Sequence, residues 1–333
     1  MHLEETKMKI LAVDDDPIIL ELLEHFISTI SDYELTTAES VCDALEILSE
    51  PGNTFDCFLL DIQMPHTDGI EFTQILRDTP KYERTPILML TAMSDKDYID
   101  RAFSAGATDY VTKPFEVNSL KGRLKLVEQI SQDARQAAQK MLAREVGFDP
   151  VKATSKGIEL HEPFPIHDVE GVIENRAIEN YVTQLSRKSL CGSVILGFSV
   201  RQSADLFYDL SNYDFSCVMT DVAEAISDCL LPTQRLLSYA GNGSFVCVVE
   251  GAAKIDMDRL VDQINLYIHH MELSQSDGSP LNIRICAGRP TRLVWRKGSS
   301  ALEALREANL SAEHAAECFE RNMGSIWTTE QFA

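Results

Sequence analysis

Four places in this 333-residue chain carry side chains that can do chemistry together. Asp14-Asp15-Asp16 follow the apolar run Lys9–Val13, and Asp61 ends the run 55–60. Thr91 ends the run 86–90, and Lys113 follows the short stretch 109–112. Carboxylates gathered in one place repel one another unless a cation neutralises them. Oxygen-only ligands at an open site suit Mg²⁺, which keeps several waters and accepts phosphate oxygens. With Lys113 beside it, such a site would offset the charge on a phosphoryl group being transferred to Asp61. Thr91 would hydrogen-bond a new phosphoryl oxygen.

The elements that must position these residues follow from periodicity. Continuous apolar runs of strand length alternate with stretches of helical spacing, such as Ile18, Leu22, Leu23, Phe26 and Ile27. Strands are expected at 9–13, 33–38, 55–60, 86–90 and 109–112. Helices are expected at 17–30, after a Ser40 cap, at 69–77, at 95–105 up to Gly106, and from Val117. Five strands alternating with helices imply an α/β fold with a doubly wound five-stranded parallel sheet. Ligands of such sheets sit beyond the carboxyl ends of the strands, where all four chemical positions fall.

VDDDP, LLDIQMPHTDG, LTA and GATDYVTKPF resemble the receiver domains of response regulators, a flavodoxin-like fold. The resemblance covers 8–127. It implies that Asp61 is the phosphoacceptor. It implies too that Asp15, Asp61 and the Gln63 main-chain carbonyl hold Mg²⁺ with help from Asp14. Thr91, Ala92 and Lys113 would bind the phosphoryl group, with Thr91 and Tyr110 as the switch pair and a cis bond before Pro114. Gln63 and Met93 would flank the path of the hydrolytic water. Met cannot orient a water, so slow self-dephosphorylation is expected. Met64 and Phe115 are expected to be packing residues.

Charge narrows the partners. The net charge is −22; residues 1–127 carry 11 Lys and Arg against 24 Asp and Glu, and the remainder 19 against 28. Neither part offers the basic footprint of a nucleic-acid binder, and anionic membranes would repel both. No apolar run approaches the ~20 residues of a membrane span, and the acidic N-terminus is no signal peptide. A cytoplasmic protein is expected, with eight scattered cysteines as small core residues rather than zinc ligands. The expected partners are a sensor histidine kinase or phosphotransfer protein and a downstream protein.

Leu120, Leu124, Val127, Ser131, Ala134, Ala138 and Met141 form a 4–3 repeat over about three heptads. It reads either as a homodimer seam or as one amphipathic helix packed on its own protein. Residues 128–165 are assigned to a helical connector and an irregular linker rich in Gly and Pro. From 166 to 333 an α+β domain with an antiparallel sheet is expected, with a hairpin at Gly241-Asn242-Gly243-Ser244-Phe245.

The order of elements in that domain, and Asp168, Gly171, Asn175 and Arg176 of its opening motif, resemble diguanylate-cyclase (GGDEF-type) domains. Gly241–Phe245 stands where that family has G-G-D/E-E-F, so both signature acids are gone. Gly197 stands where the family has a metal-binding Asp, and Pro232-Thr233-Gln234-Arg235 replaces the R-x-x-D product site. Two-metal chemistry on GTP needs those carboxylates. The resemblance therefore implies an inactive output domain, with a nucleotide sensor or an active cyclase as alternatives. The Gly-rich turn reads as a tight hairpin turn first and a phosphate cradle second.

Overall fold

The computed structural model describes residues 7–30, 33–92, 96–115, 117–129, 131, 158–185, 192–250, 255–276, 278–293 and 298–330, the last helix with side chains to 321. The chain divides into two compact units, 1–156 and 157–333.

The first unit holds β1 (Met8–Val13), α1 (Pro17–Ser28), β2 (Tyr33–Ala38), α2 (Val41–Ser49) and β3 (Cys57–Asp61). Then come α3 (Gly69–Arg77), β4 (Ile87–Thr91), α4 (Lys96–Ser104), β5 (Asp109–Thr112) and α5 (117–129). The strands form one parallel sheet in the order β2-β1-β3-β4-β5. The first three helices start for a local reason. Asp16 caps α1 by accepting the Ile18 amide at 2.9 Å, with Pro17 preset for the first turn. Ser40 caps α2, as expected, and Asp68 caps α3.

The sheet is buried on both faces, so β3 and β4 are apolar throughout until their last residues, Asp61 and Thr91. Phe58, Leu60, Phe72 and Met89 fill one face; Leu59, Leu88, Leu90 and Phe115 fill the other. Met64 joins the first of these cores. Leu120, Leu124 and Val127 of the heptad pattern are buried in the unit's own second core, the intramolecular reading of that repeat. Residues 134, 138 and 141 of the same pattern lie outside the described residues.

The second unit is mixed. After α6 (Asn175–Gln184) come β6 (Ser193–Val200), α7 (Ser203–Asp209), α8 (Asn212–Cys229), β7 (Arg235–Gly241) and β8 (Ser244–Glu250). They are followed by α9 (Met257–His270), β9 (Ile285–Ala287), β10 (Thr291–Arg292) and α10 (Ser299–Glu330). The sheet is antiparallel: β8 lies between β6 and β7, while β9 and β10 pair with β6. Within 281–287 only Ile285–Ala287 is strand, and the Asn265 amide brackets the Ile285 main chain at 2.8 and 3.2 Å. The helix α8 starts at Asn212 because Ser211 caps it, accepting the Asp214 amide. The short helix α7 had no sequence signal strong enough to separate it from α8.

Two glycines set the depth of α10. A Cβ on Gly197 would stand 2.2 Å from the Ala308 carbonyl oxygen, and one on Gly288 would stand 2.6 Å from the Ala312 nitrogen. Ala301, Ala304, Ala308 and Ala312 form the matching buried stripe. The close approach of helix to sheet depends on this absence of side-chain bulk on both surfaces. Among the described residues no helix is long and apolar enough to cross a membrane.

Candidate functional site

The first unit's strand order reverses between β1 and β3: β2 lies on one side of this pair, β4 and β5 on the other. The carboxyl ends of β1 and β3 therefore flank a topological switch point. Asp14 follows β1 there and Asp61 ends β3. Ligand oxygens of Asp14, Asp15 and Asp61 lie within 4.8 Å of one another. Lys113, following β5, reaches into the group: its Nζ donates to Asp14 Oδ2 at 2.5 Å and to Asp61 Oδ1 at 2.6 Å. The main chain ties the same region together. Lys113 N donates to the Thr91 carbonyl at 2.6 Å, and Ile62 N to the Leu90 carbonyl at 3.0 Å.

The electrostatics are unbalanced in a telling direction. Burial pushes the Asp61 carboxyl up, against the pull of Lys113, and nearby Asp14 adds to the rise. Burial likewise raises Asp14, with Asp15 adding to it. For Lys113, burial pulls downward, but the two carboxylates outweigh it and hold the ammonium above its usual value. One ammonium faces three carboxylates. The donor set is all oxygen, so the residues fit a hard divalent cation. Asp16 is spent on capping α1 and is not part of the group.

A family model described as a response regulator receiver domain matches residues 10–125. The N-terminal unit is a response regulator receiver domain. Two relatives agree over this region. The two-component response regulator ARR12 of Arabidopsis thaliana is 36% identical over 114 residues, 34% of this chain and 18% of that protein. The transcriptional regulatory protein SrrA of Staphylococcus aureus is 33% identical over 138 residues, 41% of this chain and 55% of that protein. The chain thus spans well under two thirds of either relative. Among solved structures, the chemotaxis response regulator CheY4 of Vibrio cholerae is 34% identical and aligns over 37% of this chain and 99% of its own, with a TM-score of 0.34.

Thr91, at the end of β4, is buried; Gln63 and Ala92 are exposed. Tyr110 is half-buried on β5, its ring edge-on to Phe103 at 6.2 Å. The Lys113–Pro114 peptide bond is cis. Met93 lies outside the described residues. Gly69, the last residue of LLDIQMPHTDG, is a further residue on which the site depends. A Cβ there would stand 2.0 Å from the Asp61 carbonyl oxygen, so α3 can begin against the end of β3 only with glycine.

The Gly241–Phe245 stretch spans the β7–β8 turn of the second unit. Gly241, Asn242 and Gly243 have φ of 91°, 55° and 70°, which explains the composition without a ligand. The turn's amides are committed: Asn242 N donates to the Leu160 carbonyl at 2.6 Å, and Gly243 N to the Tyr239 hydroxyl at 3.1 Å. Asn242 Nδ2 donates to Glu313 Oε1 at 3.3 Å. Ser244 is buried, its Oγ bonded to Ser199 Oγ at 3.0 Å, and Phe245 is a core residue. A second group of ligand atoms, from Glu159, His161 and Glu162, is exposed, as acidic surface groups commonly are.

Proposed function

We propose that Asp61 accepts a phosphoryl group from the phosphohistidine of a sensor kinase or phosphotransfer protein. The second unit then passes the signal on by protein–protein contact. The observation that carries this reading is the Lys113 ammonium bridging Asp14 and Asp61 at 2.5 and 2.6 Å. In the transfer, an Asp61 carboxylate oxygen forms a bond to phosphorus as the N–P bond of the donor breaks. Lys113 then moves its hydrogen bond from Asp61 to a phosphoryl oxygen, and Thr91 supplies a hydroxyl to another. Mg²⁺ held by Asp14, Asp15, Asp61 and the Gln63 carbonyl would supply further charge neutralisation. The Tyr110 ring would follow Thr91 inward.

The second unit supports an output without catalysis. Its order of elements and its opening motif resemble a diguanylate cyclase that has lost its signature acids. Position 197, where that family has a metal-binding Asp, is closed by the Ala308 carbonyl. The committed amides at 242 and 243 weigh against the nucleotide-sensor alternative, because a phosphate cradle needs free N–H groups.

The test is uptake of a phosphoryl group from acetyl phosphate with Mg²⁺, read by intact mass, on wild type and Asp61→Asn. Uptake by wild type alone is expected. Equal labelling of Asp61→Asn would overturn the assignment. The phosphorylated form is expected to outlast the seconds typical of fast-cycling chemotaxis receivers, since Met93 offers no group to orient water. Incubation with GTP is expected to yield no cyclic dinucleotide, and calorimetric titration with GTP no binding heat.

A further inference from the structure

Residues 158–166 form neither helix nor strand, yet they lie across the β7–β8 turn. The Leu160 carbonyl takes the Asn242 amide. The next carbonyl, of His161, passes so close that a Cβ on Gly241 would stand 2.5 Å from its oxygen. Further on, the Phe164 ring packs on Tyr239 with centroids 4.4 Å apart and reaches Phe215 at 6.4 Å. Tyr239 is 2% exposed and Phe215 fully buried, and Phe164 is part of what covers them. Ile166 anchors the end of the segment in the same core.

The hold is light. Glu159, His161, Glu162 and Pro163 are exposed, and Leu160 and Phe164 only half-buried. Segments with few buried apolar contacts open at a small fraction of the cost of global unfolding. This segment also begins at the boundary between the two units, directly after the chain that comes from the receiver.

We infer that residues 158–166 are a cis-acting cover over an aromatic cleft floored by Tyr239 and Phe215, and that its release opens the cleft and the β7–β8 turn as the output surface. A partner that fits the cleft presents an aromatic side chain from an extended, proline-flanked segment, as Phe164 does between Pro163 and Pro165. The cover stands on its own geometry; its release by phosphorylation rests on the function proposed above.

Hydrogen exchange on the full chain tests this, with Phe164→Ala and the milder Phe164→Leu, with and without acetyl phosphate and Mg²⁺. Cutting the ring contact should speed exchange at Asn242 and Gly243 by about tenfold or more without phosphorylation. A labelled peptide of residues 158–168 should bind the Phe164→Ala chain and not the wild type. Unchanged exchange at the turn in both variants, or no binding of the peptide to either chain, would overturn the cover. Phosphorylated wild type should show the faster exchange too. If mass shows the phosphoryl group on the chain and the turn stays protected, release by the receiver is refuted. If no group is taken up, the receiver reading fails, while the Phe164 variants still decide the cover.

Discussion

Lys113 holds two buried carboxylates at once, and its removal shows what the site costs. Side chains of Lys113, Asp14 and Asp61 are 14%, 1% and 7% exposed, so solvent screens the pair weakly. Lys113→Met leaves both carboxylates without their cation, a loss of about 3 kcal/mol at neutral pH by the usual cost of breaking a buried pair. The pH dependence has a definite sign. Asp14 and Asp61 sit above 3.8 in the fold, so the folded state binds their protons more tightly than the unfolded chain does. Their contribution is full below 3.8 and is lost as pH rises through the raised values. Lys113 contributes below 10.5, and that contribution goes as pH rises through its own raised value. Urea unfolding in chelator should therefore show Lys113→Met recovering stability as the pH is lowered toward about 4. Added Mg²⁺ should restore wild type at neutral pH.

Elements place these residues through close approaches that tolerate no extra atom. At Gly69, a Cβ would stand 2.0 Å from the Asp61 carbonyl oxygen, so α3 starts too near the end of β3 for any side chain. Gly69→Ala must push α3 from the end of β3. It should cost about 1–3 kcal/mol in denaturant unfolding and slow phosphoryl uptake from acetyl phosphate. In the second unit, Gly197 meets the Ala308 carbonyl of α10. Gly197→Asp, which would place an acid at that position, should destabilise the unit instead of creating a metal site. Circular dichroism should show a lowered melting temperature, and calorimetry no gain in Mg²⁺ binding. Position 197 could hold an acid only if α10 moved off the sheet.

Across the whole molecule, each unit has its own apolar core, one sandwiching a parallel sheet and the other built on an antiparallel one. Calorimetry should resolve two unfolding transitions rather than one. Mg²⁺ should raise only the receiver's transition, by the mass action of a ligand that binds the folded form, and Asp61→Asn should remove most of that shift. A net charge of −22 adds self-repulsion, so moderate salt should raise both transitions.

Much of the receiver was legible in the sequence for a physical reason. A parallel strand buried on both faces must be apolar until it emerges, so Asp14, Asp61 and Thr91 marked their own strand ends. Glycine and proline marked the breaks between elements. The second unit was harder, because β9 and β10 are three and two residues long and take their pairing from β6, with nothing local to announce it. Sequence alone determined the alternation of elements in the receiver and the acids and lysine at the sheet's carboxyl edge. Only the tertiary structure decided that Lys113 bridges residues 99 and 52 positions away. It alone showed that Gly69 and Gly197 are glycines because main chain passes there, and that Leu160 and His161 lie on the turn at 241–243. Spacing along a chain reports periodicity within an element, whereas a carbonyl's distance from a Cα many residues away is set only when the elements pack.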